Sequence, residues 1–110
     1  MLKTTVVRTA TIILFGAMPA IGVAADVAAG KAKASVACAV CHGQLGQSMQ
    51  PNVPSLSGQP EVYTVEQLRH YRSGKRAHEV MTLMAKPLTD SEIDNLAAWY
   101  ASLKVDVSEK

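Results

Sequence analysis

Residues 38–42 read Cys38-Ala39-Val40-Cys41-His42, a C-x-x-C-H motif, and this stretch decides the fold of the chain. Two thiols three residues apart in a helical turn face the same side, so both can add to the vinyl groups of one haem. The imidazole of His42 follows directly and is placed to bind the iron as the proximal ligand. The motif therefore predicts one covalently attached haem c, with Cys38 and Cys41 forming its thioethers.

The first 25 residues are predicted to be a cleaved signal peptide. Two early basic residues are followed by an uncharged run from Thr9 through Ala25, which ends in small residues. This pattern suits signal peptidase and places cleavage after Ala25. An uncleaved membrane anchor is the alternative, but the run is slightly short for a transmembrane helix and contains Pro19. We therefore expect a periplasmic protein whose mature domain covers residues 26–110, with no stable membrane insertion after cleavage.

The mature domain would be electrically neutral and short of hydrophobic core. The whole chain has a formal charge of +2, but removal of Lys3 and Arg8 leaves nine basic and nine acidic residues. Neither a basic stripe nor an aromatic platform is present, which argues against binding of nucleic acid. A domain of this size rarely builds a sufficient core by itself. A disulfide between Cys38 and Cys41 would close too small a loop to stabilise it much, so a cofactor is needed.

Three other interpretations explain the cysteine pair less well than haem does. A thioredoxin-like dithiol normally opens a helix after a strand, and no strand pattern is visible. A structural zinc site usually takes two separated pairs of ligands, and this chain has no second pair. Two inert buried cysteines would leave the export signal and the small core unexplained.

Hydrophobic periodicity predicts three principal helices separated by two long loops. The first runs from Asp26 to about Ala37, with its apolar positions at 28, 32 and 36. The second begins near Pro60 and ends at Gly74. The loops, 43–58 and 75–87, are rich in glycine, proline and polar residues. Loops this long in so small a domain require something to pack against.

The last helix carries the clearest start signal. Thr89 and Glu92 form a capping box, and Leu88 and Ile93 are spaced as the hydrophobic staple around it. One apolar stripe then follows at helical spacing: Ile93, Leu96, Ala97, Tyr100 and Leu103.

The distal iron ligand is left open by the pattern alone. The candidates are Met81, Met84, His70, His78 and Met49. A thioether ligand stabilises ferrous iron and suits an electron carrier. The two histidines lie among charged residues and are expected on the surface. Met81 and Met84 precede the last helix in a loop, where a side chain can be aimed at iron, and periodicity does not choose between them.

Taken together, these residues resemble the class I cytochromes c, specifically the bacterial c4/c5-like or c553-type monohaem group. The similarity spans about Ala29 to Leu103. Its motifs, in chain order, are Cys38-x-x-Cys41-His42-Gly43, Pro51-Asn52-x-Pro54-x-Leu56-x-Gly58-Gln59, Gln67-Leu68 with Tyr71, Gly74 and Arg76, Met81-x-x-Met84, Pro87-Leu88-Thr89-Asp90, and Leu96 through Leu103. Two features depart from the family pattern: a single domain where c4 proteins often carry two, and Val53 at a position that is often aromatic.

The resemblance implies an all-α, class I cytochrome c fold, in which the first and last helices cross and one covalent haem fills the space between them. Tyr100 and Leu96, with Val36 opposite, are the candidates for that crossing. It also implies His42 as the proximal ligand and Met81 as the distal ligand, with Met84 as the alternative. The carbonyl of Pro54 would accept the second N–H group of the His42 ring.

Six-coordinate iron leaves no open site for a substrate, and no second catalytic constellation is visible, so we expect an electron carrier and not an enzyme. The leading hypothesis is a periplasmic shuttle, monomeric or in weak complexes, between redox protein partners in the membrane or periplasm. The alternatives are a haem subunit of a dehydrogenase complex, such as a flavoprotein sulfide dehydrogenase, and a ligand-binding or peroxidatic haem protein. Docking is expected at the haem edge near Ala39, Val40, Gln47 and Met49, and Arg76 is a candidate partner for a haem propionate.

Overall fold

The computed structural model describes residues 1–3, 12–14, 16–17, 19 and 22–109. These residues form five helices and no strand, which confirms the all-α class. The helices are α1 (Val27–Ala37), α2 (Ala39–His42), α3 (Glu61–Ser73), α4 (Met81–Ala85) and α5 (Asp90–Ser102). Among the described residues, no helix is long and apolar enough to cross a membrane. Twelve of the 25 residues of the predicted signal peptide, at positions 4–11, 15, 18, 20 and 21, lie outside the described part of the chain.

The capping box predicted at the last helix is present. The hydroxyl of Thr89 accepts the N–H of Glu92 at 3.1 Å, and the Glu92 carboxylate accepts the N–H of Thr89 at 3.0 Å. Leu88 and Ile93, the staple residues on either side, are both buried. The box therefore fixes where α5 begins and holds the entering chain against the core.

The core forms where α1 crosses α5. Its buried cluster consists of Ala34, Leu88, Ile93, Leu96, Trp99 and Tyr100. Gly30 lies at the closest approach, since a β-carbon there would collide with the backbone carbonyl of Asn95 and would lie 3.0 Å from the β-carbon of Trp99. The absence of a side chain at Gly30 thus allows the two helices to cross nearly backbone to backbone.

Val36 was wrongly expected at this crossing. Its side chain is 81% exposed, whereas Gly30 and Ala34 are the residues of α1 that are buried. The predicted stripe at 28, 32 and 36 is therefore the solvent face of the helix. In an alanine-rich helix the apolar periodicity is weak, and a close crossing selects the smallest residues, not the most hydrophobic ones.

The second loop is less irregular than the sequence indicated, because it contains the short helix α4. Ala85, at the end of α4, is fully buried, and α4 packs against α3, which itself packs against α5. A five-residue helix has almost no stability of its own, so it depends on these tertiary contacts.

One ion pair joins the two crossing helices. Lys33 of α1 lies 2.9 Å from the second carboxylate oxygen of Glu92 at the start of α5. The bond from Lys33 and the bond from the Thr89 N–H group lower the pKa of Glu92 below its ordinary value. A carboxyl group with a lowered folded-state pKa stabilises the fold above its unfolded pKa, and that contribution is lost as the pH falls through the folded value.

We therefore expect Glu92→Gln to be less stable than the wild type at neutral pH. The difference should shrink in acid, because the protonated wild-type carboxyl then resembles the amide. The difference in the free energy of unfolding is measured by urea denaturation at pH 7 and again at a pH below the range in which carboxyl groups titrate. Glu109→Gln, at an exposed position, is the control. An equal stability difference at both pH values would contradict this assignment.

Candidate haem site

The cysteine motif lies on one continuous helical turn at the junction of α1 and α2. The N–H groups of Cys41 and His42 both bond to the carbonyl of Cys38, at 3.2 and 3.0 Å. The side chains of Cys38 and Cys41, three residues apart, therefore share a face. Both are free, half-buried thiols, and Cys38 packs against the core cluster.

His42 is buried and held by its ring. Its Nδ1 atom lies 2.7 Å from the backbone carbonyl oxygen of Pro54, and only 7% of the residue is exposed. A carbonyl only accepts, so Nδ1 must carry the hydrogen, and Nε2 is left with a lone pair for a metal ion. The bond that the resemblance implied between Pro54 and His42 is thus present. It fixes both the tautomer and the plane of the imidazole.

The loop that supplies the Pro54 carbonyl is fastened to α5. The N–H of Gly58 donates to the carbonyl of Tyr100 at 2.8 Å, and the carbonyl of Gly46 accepts the N–H of Leu56 at 2.6 Å. Gly46 has a φ of 71°, and a β-carbon there would lie 2.9 Å from the ring of Tyr100. Only glycine satisfies both the left-handed backbone and this close approach. The ring of Tyr100 consequently supports the loop that orients His42.

Tyr100 also borders the thiol of Cys38. Its hydroxyl group is buried without a hydrogen-bond partner, and it lies near enough to the thiol for each group to influence the other's pKa. Burial raises the pKa of the Cys38 thiol despite the opposing influences of Tyr100 and Lys33. Burial likewise raises the pKa of Tyr100. Both groups therefore stay uncharged at neutral pH, which avoids the cost of burying a charge beside the core.

The residues at the α1–α2 junction fit a c-type haem. Two free thiols on one face and a buried imidazole with Nε2 available form the required donor set. A redox-active dithiol needs a lowered thiol pKa, whereas burial raises that of Cys38. Among the described residues, no group of three or more His, Cys, Asp or Glu side chains is placed to hold a metal ion.

The distal candidates are dispersed over three elements. Met81 and Met84 share one face of α4, with Met81 half-buried and Met84 42% exposed. Met49 is 95% exposed in the first loop. His70, expected on the surface, is half-buried in α3, and its Nε2 lies 3.7 Å from Glu66. His78 is exposed as expected, but its ring nitrogen accepts two backbone N–H groups at the start of α4.

The cytochrome c family model matches residues 27–104, nearly all of the helical domain. The chain belongs to the cytochrome c family. Membership in this family indicates covalently bound haem c, in agreement with the donor set at the α1–α2 junction.

Cytochrome c4 proteins are among the relatives of this chain. It is 48% identical to cytochrome c4 of Thiocapsa roseopersicina over 86 residues, which is 78% of this chain and 43% of the relative. It is 39% identical over 92 residues to a thiosulfate dehydrogenase electron acceptor of Thiomonas intermedia, covering 83% of this chain and 40% of the relative. The chain thus spans less than half the length of these curated relatives.

The fold is likewise similar to that of solved cytochrome c4 structures. The reduced recombinant cytochrome c4 of Pseudomonas stutzeri superposes with a TM-score of 0.70 at 38% identity, covering 76% of this chain and 48% of that chain. This similarity confirms the class I, c4-type fold expected from the sequence.

Around this cytochrome c site, the exposed edge is partly apolar. Val40 is 85% exposed and Met49 is 95% exposed, whereas Ala39 is half-buried and Gln47 is exposed. Arg76, the candidate propionate partner, donates to the side-chain oxygen of Gln67 at 2.8 Å. Its guanidinium also lies 4.7 Å from the ring centroid of Tyr71. Arg76 is therefore held against α3.

Sequence reasoning missed the support that Tyr100 gives to the haem site. The stripe of α5 identified Tyr100 as a core residue, but nothing in the periodicity places its ring under the His42-orienting loop. The signal available in the sequence was Gly46, a glycine in the loop whose need for close packing becomes visible only after folding.

Proposed function

We propose that this cytochrome c is an exported, single-haem electron carrier of the periplasm, and that it is not itself an enzyme. The observation that carries the proposal is His42, a buried imidazole held by the Pro54 carbonyl at 2.7 Å directly beside two free thiols. An imidazole fixed in this way presents one nitrogen to a metal ion and does not need to move during a redox cycle. The cytochrome c4 relatives support the same assignment.

The proposed ligands follow from this arrangement and from the family resemblance. Cys38 and Cys41 form the two thioethers, His42 is the proximal ligand, and Met81 is the distal ligand. Met81 is preferred over Met84 because it is the more buried of the two and because it begins α4, directly after the irregular part of the second loop. Bound haem supplies an iron centre that takes up and releases one electron. The chain's own contribution is to fix the imidazole, to supply a thioether sulfur that favours the ferrous state, and to exclude water.

Export is part of the proposal. The uncharged segment before Asp26 and the cleavage pattern at Ala25 support removal of residues 1–25 and folding of residues 26–110 in the periplasm. We expect the mass of the protein recovered from the periplasmic fraction to equal that of residues 26–110 plus one haem. A product that retains the first 25 residues would contradict the cleavage.

Absorption spectra of the exported protein test the haem and ligand assignments together. After acid–acetone extraction, the haem should stay with the protein, since thioethers survive that treatment. The reduced form should show sharp bands, and the oxidised form should show the weak far-red band of sulfur–iron ligation. Extractable haem would overturn the covalent attachment. Attached haem that lacks the far-red band and binds carbon monoxide would point instead to a ligand-binding or peroxidatic haem protein.

A second candidate function is supported by a relative's name. The Thiomonas protein is a thiosulfate dehydrogenase electron acceptor, so this chain is also a candidate for the dedicated electron acceptor of a sulfur-oxidising dehydrogenase. Purification from the native host distinguishes the two. A shuttle should elute as a monomer and be reduced by several donors at similar rates, whereas a dedicated acceptor should copurify with its dehydrogenase.

A further inference from the structure

His78 caps the first turn of α4, the helix that carries Met81. Its Nδ1 atom accepts the backbone N–H groups of Val80 and Met81, both at 3.2 Å. Its carbonyl accepts the N–H of Thr82 at 3.0 Å. Helical hydrogen bonding therefore begins at His78, ahead of the N-cap residue Val80, and the His78 side chain satisfies two backbone donors that the N-cap side chain leaves open.

Thr82 completes the cap in the opposite direction. Its hydroxyl oxygen accepts the backbone N–H of His78 at 3.0 Å. The two residues thus exchange side-chain and backbone hydrogen bonds in the manner of a capping box, with the reciprocal partner one position later than usual. Nδ1 acts here as an acceptor, so the ring carries its hydrogen on Nε2.

The two ends of α4 are held by different forces. At the far end, Ala85 is fully buried and Leu88 belongs to the core cluster. At the near end, Val80 is 46% exposed and His78 itself is exposed, so little hydrophobic burial restrains the backbone there. The two His78 bonds consequently restrain the backbone of Met81 directly, since a helix this short does not form by itself.

We propose that His78 is a positioning residue that fixes the backbone of Met81 and thereby keeps the Met81 sulfur on the haem iron. This inference rests on the proposed function, in which Met81 is the distal ligand. His78 does not bind iron in this arrangement, because the lone pair of its Nδ1 atom is engaged by the backbone of α4 and Nε2 carries the ring hydrogen. It acts by limiting how often the loop swings away and leaves the iron open to other ligands.

Titration of the ferric protein with imidazole measures that opening, because added imidazole competes with Met81 for the iron. We expect His78→Ala to bind imidazole about fivefold to tenfold more tightly than the wild type, the size expected for the loss of a helix N-cap. When the variant is warmed, its far-red sulfur–iron band should also weaken at a lower temperature than the band of the wild type does. Thr82→Val, which removes the reciprocal acceptor, should shift both quantities in the same direction.

Two matched variants separate positioning from a general loss of stability. Asparagine is among the best N-cap residues, so His78→Asn should restore imidazole affinity and the far-red band toward wild-type values. His70→Ala removes a different imidazole, the one that lies on α3 beside Glu66. This variant should leave the imidazole affinity and the far-red band unchanged.

Failure of the positioning role is distinguishable from failure of the ligand assignment. If the wild type shows the far-red band and His78→Ala matches it in band stability and imidazole affinity, the positioning role is overturned while Met81 ligation stands. If the wild type shows no far-red band at all, the Met81 assignment fails, and the role of His78 fails with it. An equal effect of His70→Ala would also overturn the proposal.

Discussion

Replacing Met81 with alanine is expected to leave the haem attached while lowering the midpoint potential by on the order of 0.1 V or more, within the roughly 0.8 V that axial ligands control. The thioether of Met81 favours ferrous iron, and its removal leaves the position to water, which favours ferric iron more. The far-red band should disappear, and the iron should bind imidazole and carbon monoxide. Spectroelectrochemical titration of the purified protein measures the potential and the spectrum in one experiment.

Met84→Leu is the matched control for this prediction. It removes a thioether from the same face of α4 while keeping a side chain of similar volume. The potential should change little and the far-red band should persist. An unchanged ferric spectrum in Met81→Ala, together with loss of the band in Met84→Leu, would exchange the roles of the two residues.

Gly30→Ala is expected to have the largest effect on stability, lowering the free energy of unfolding by about 1–2 kcal/mol net, because overpacking a tight core costs up to about 3 kcal/mol. The added methyl group would meet the backbone carbonyl of Asn95, which cannot rotate away as a flexible side chain would. Alanine favours a helix over glycine by about 1 kcal/mol, so the propensity gain offsets only part of the cost. Denaturation with guanidinium, followed by helical circular dichroism, measures the change.

Ser35→Thr provides the control for Gly30→Ala, since it adds a single methyl group to the exposed face of the same helix. We expect it to change stability by less than about 0.5 kcal/mol, as is usual for surface substitutions. If Gly30→Ala were as stable as the wild type, the close crossing of α1 and α5 would be contradicted. Because Cys38 directly follows α1, a shifted crossing should also reduce the yield of protein with attached haem.

The two sets of predictions test separate parts of the molecule. Gly30 governs how closely α1 and α5 meet, whereas Met81 and His78 are proposed to complete and maintain the iron coordination. A Gly30 variant that folds should therefore retain its far-red band. Variants at Met81 or His78 should lose less stability against guanidinium than Gly30→Ala loses.

Much of this protein was determined by its sequence alone, wherever the signal is local. The C-x-x-C-H motif needs only one helical turn to bring two thiols and an imidazole together, so it predicted the haem site directly. The capping box at Thr89 and Glu92 and the stripe from Ile93 to Tyr100 likewise depend on neighbours within two turns of one helix. The fold class followed from these local signals.

What only the tertiary structure decided involves residues far apart in the chain. The buried face of α1 was set by how closely α5 approaches, so Gly30 and Ala34, not Val36, lie in the core. The helix at α4 depends on packing against α3 and on the His78 cap, and histidine is not a residue type that marks a helix start in sequence. Sequence patterns specify which faces of a helix are apolar, but the distance between two helices is fixed only when both backbones are in place.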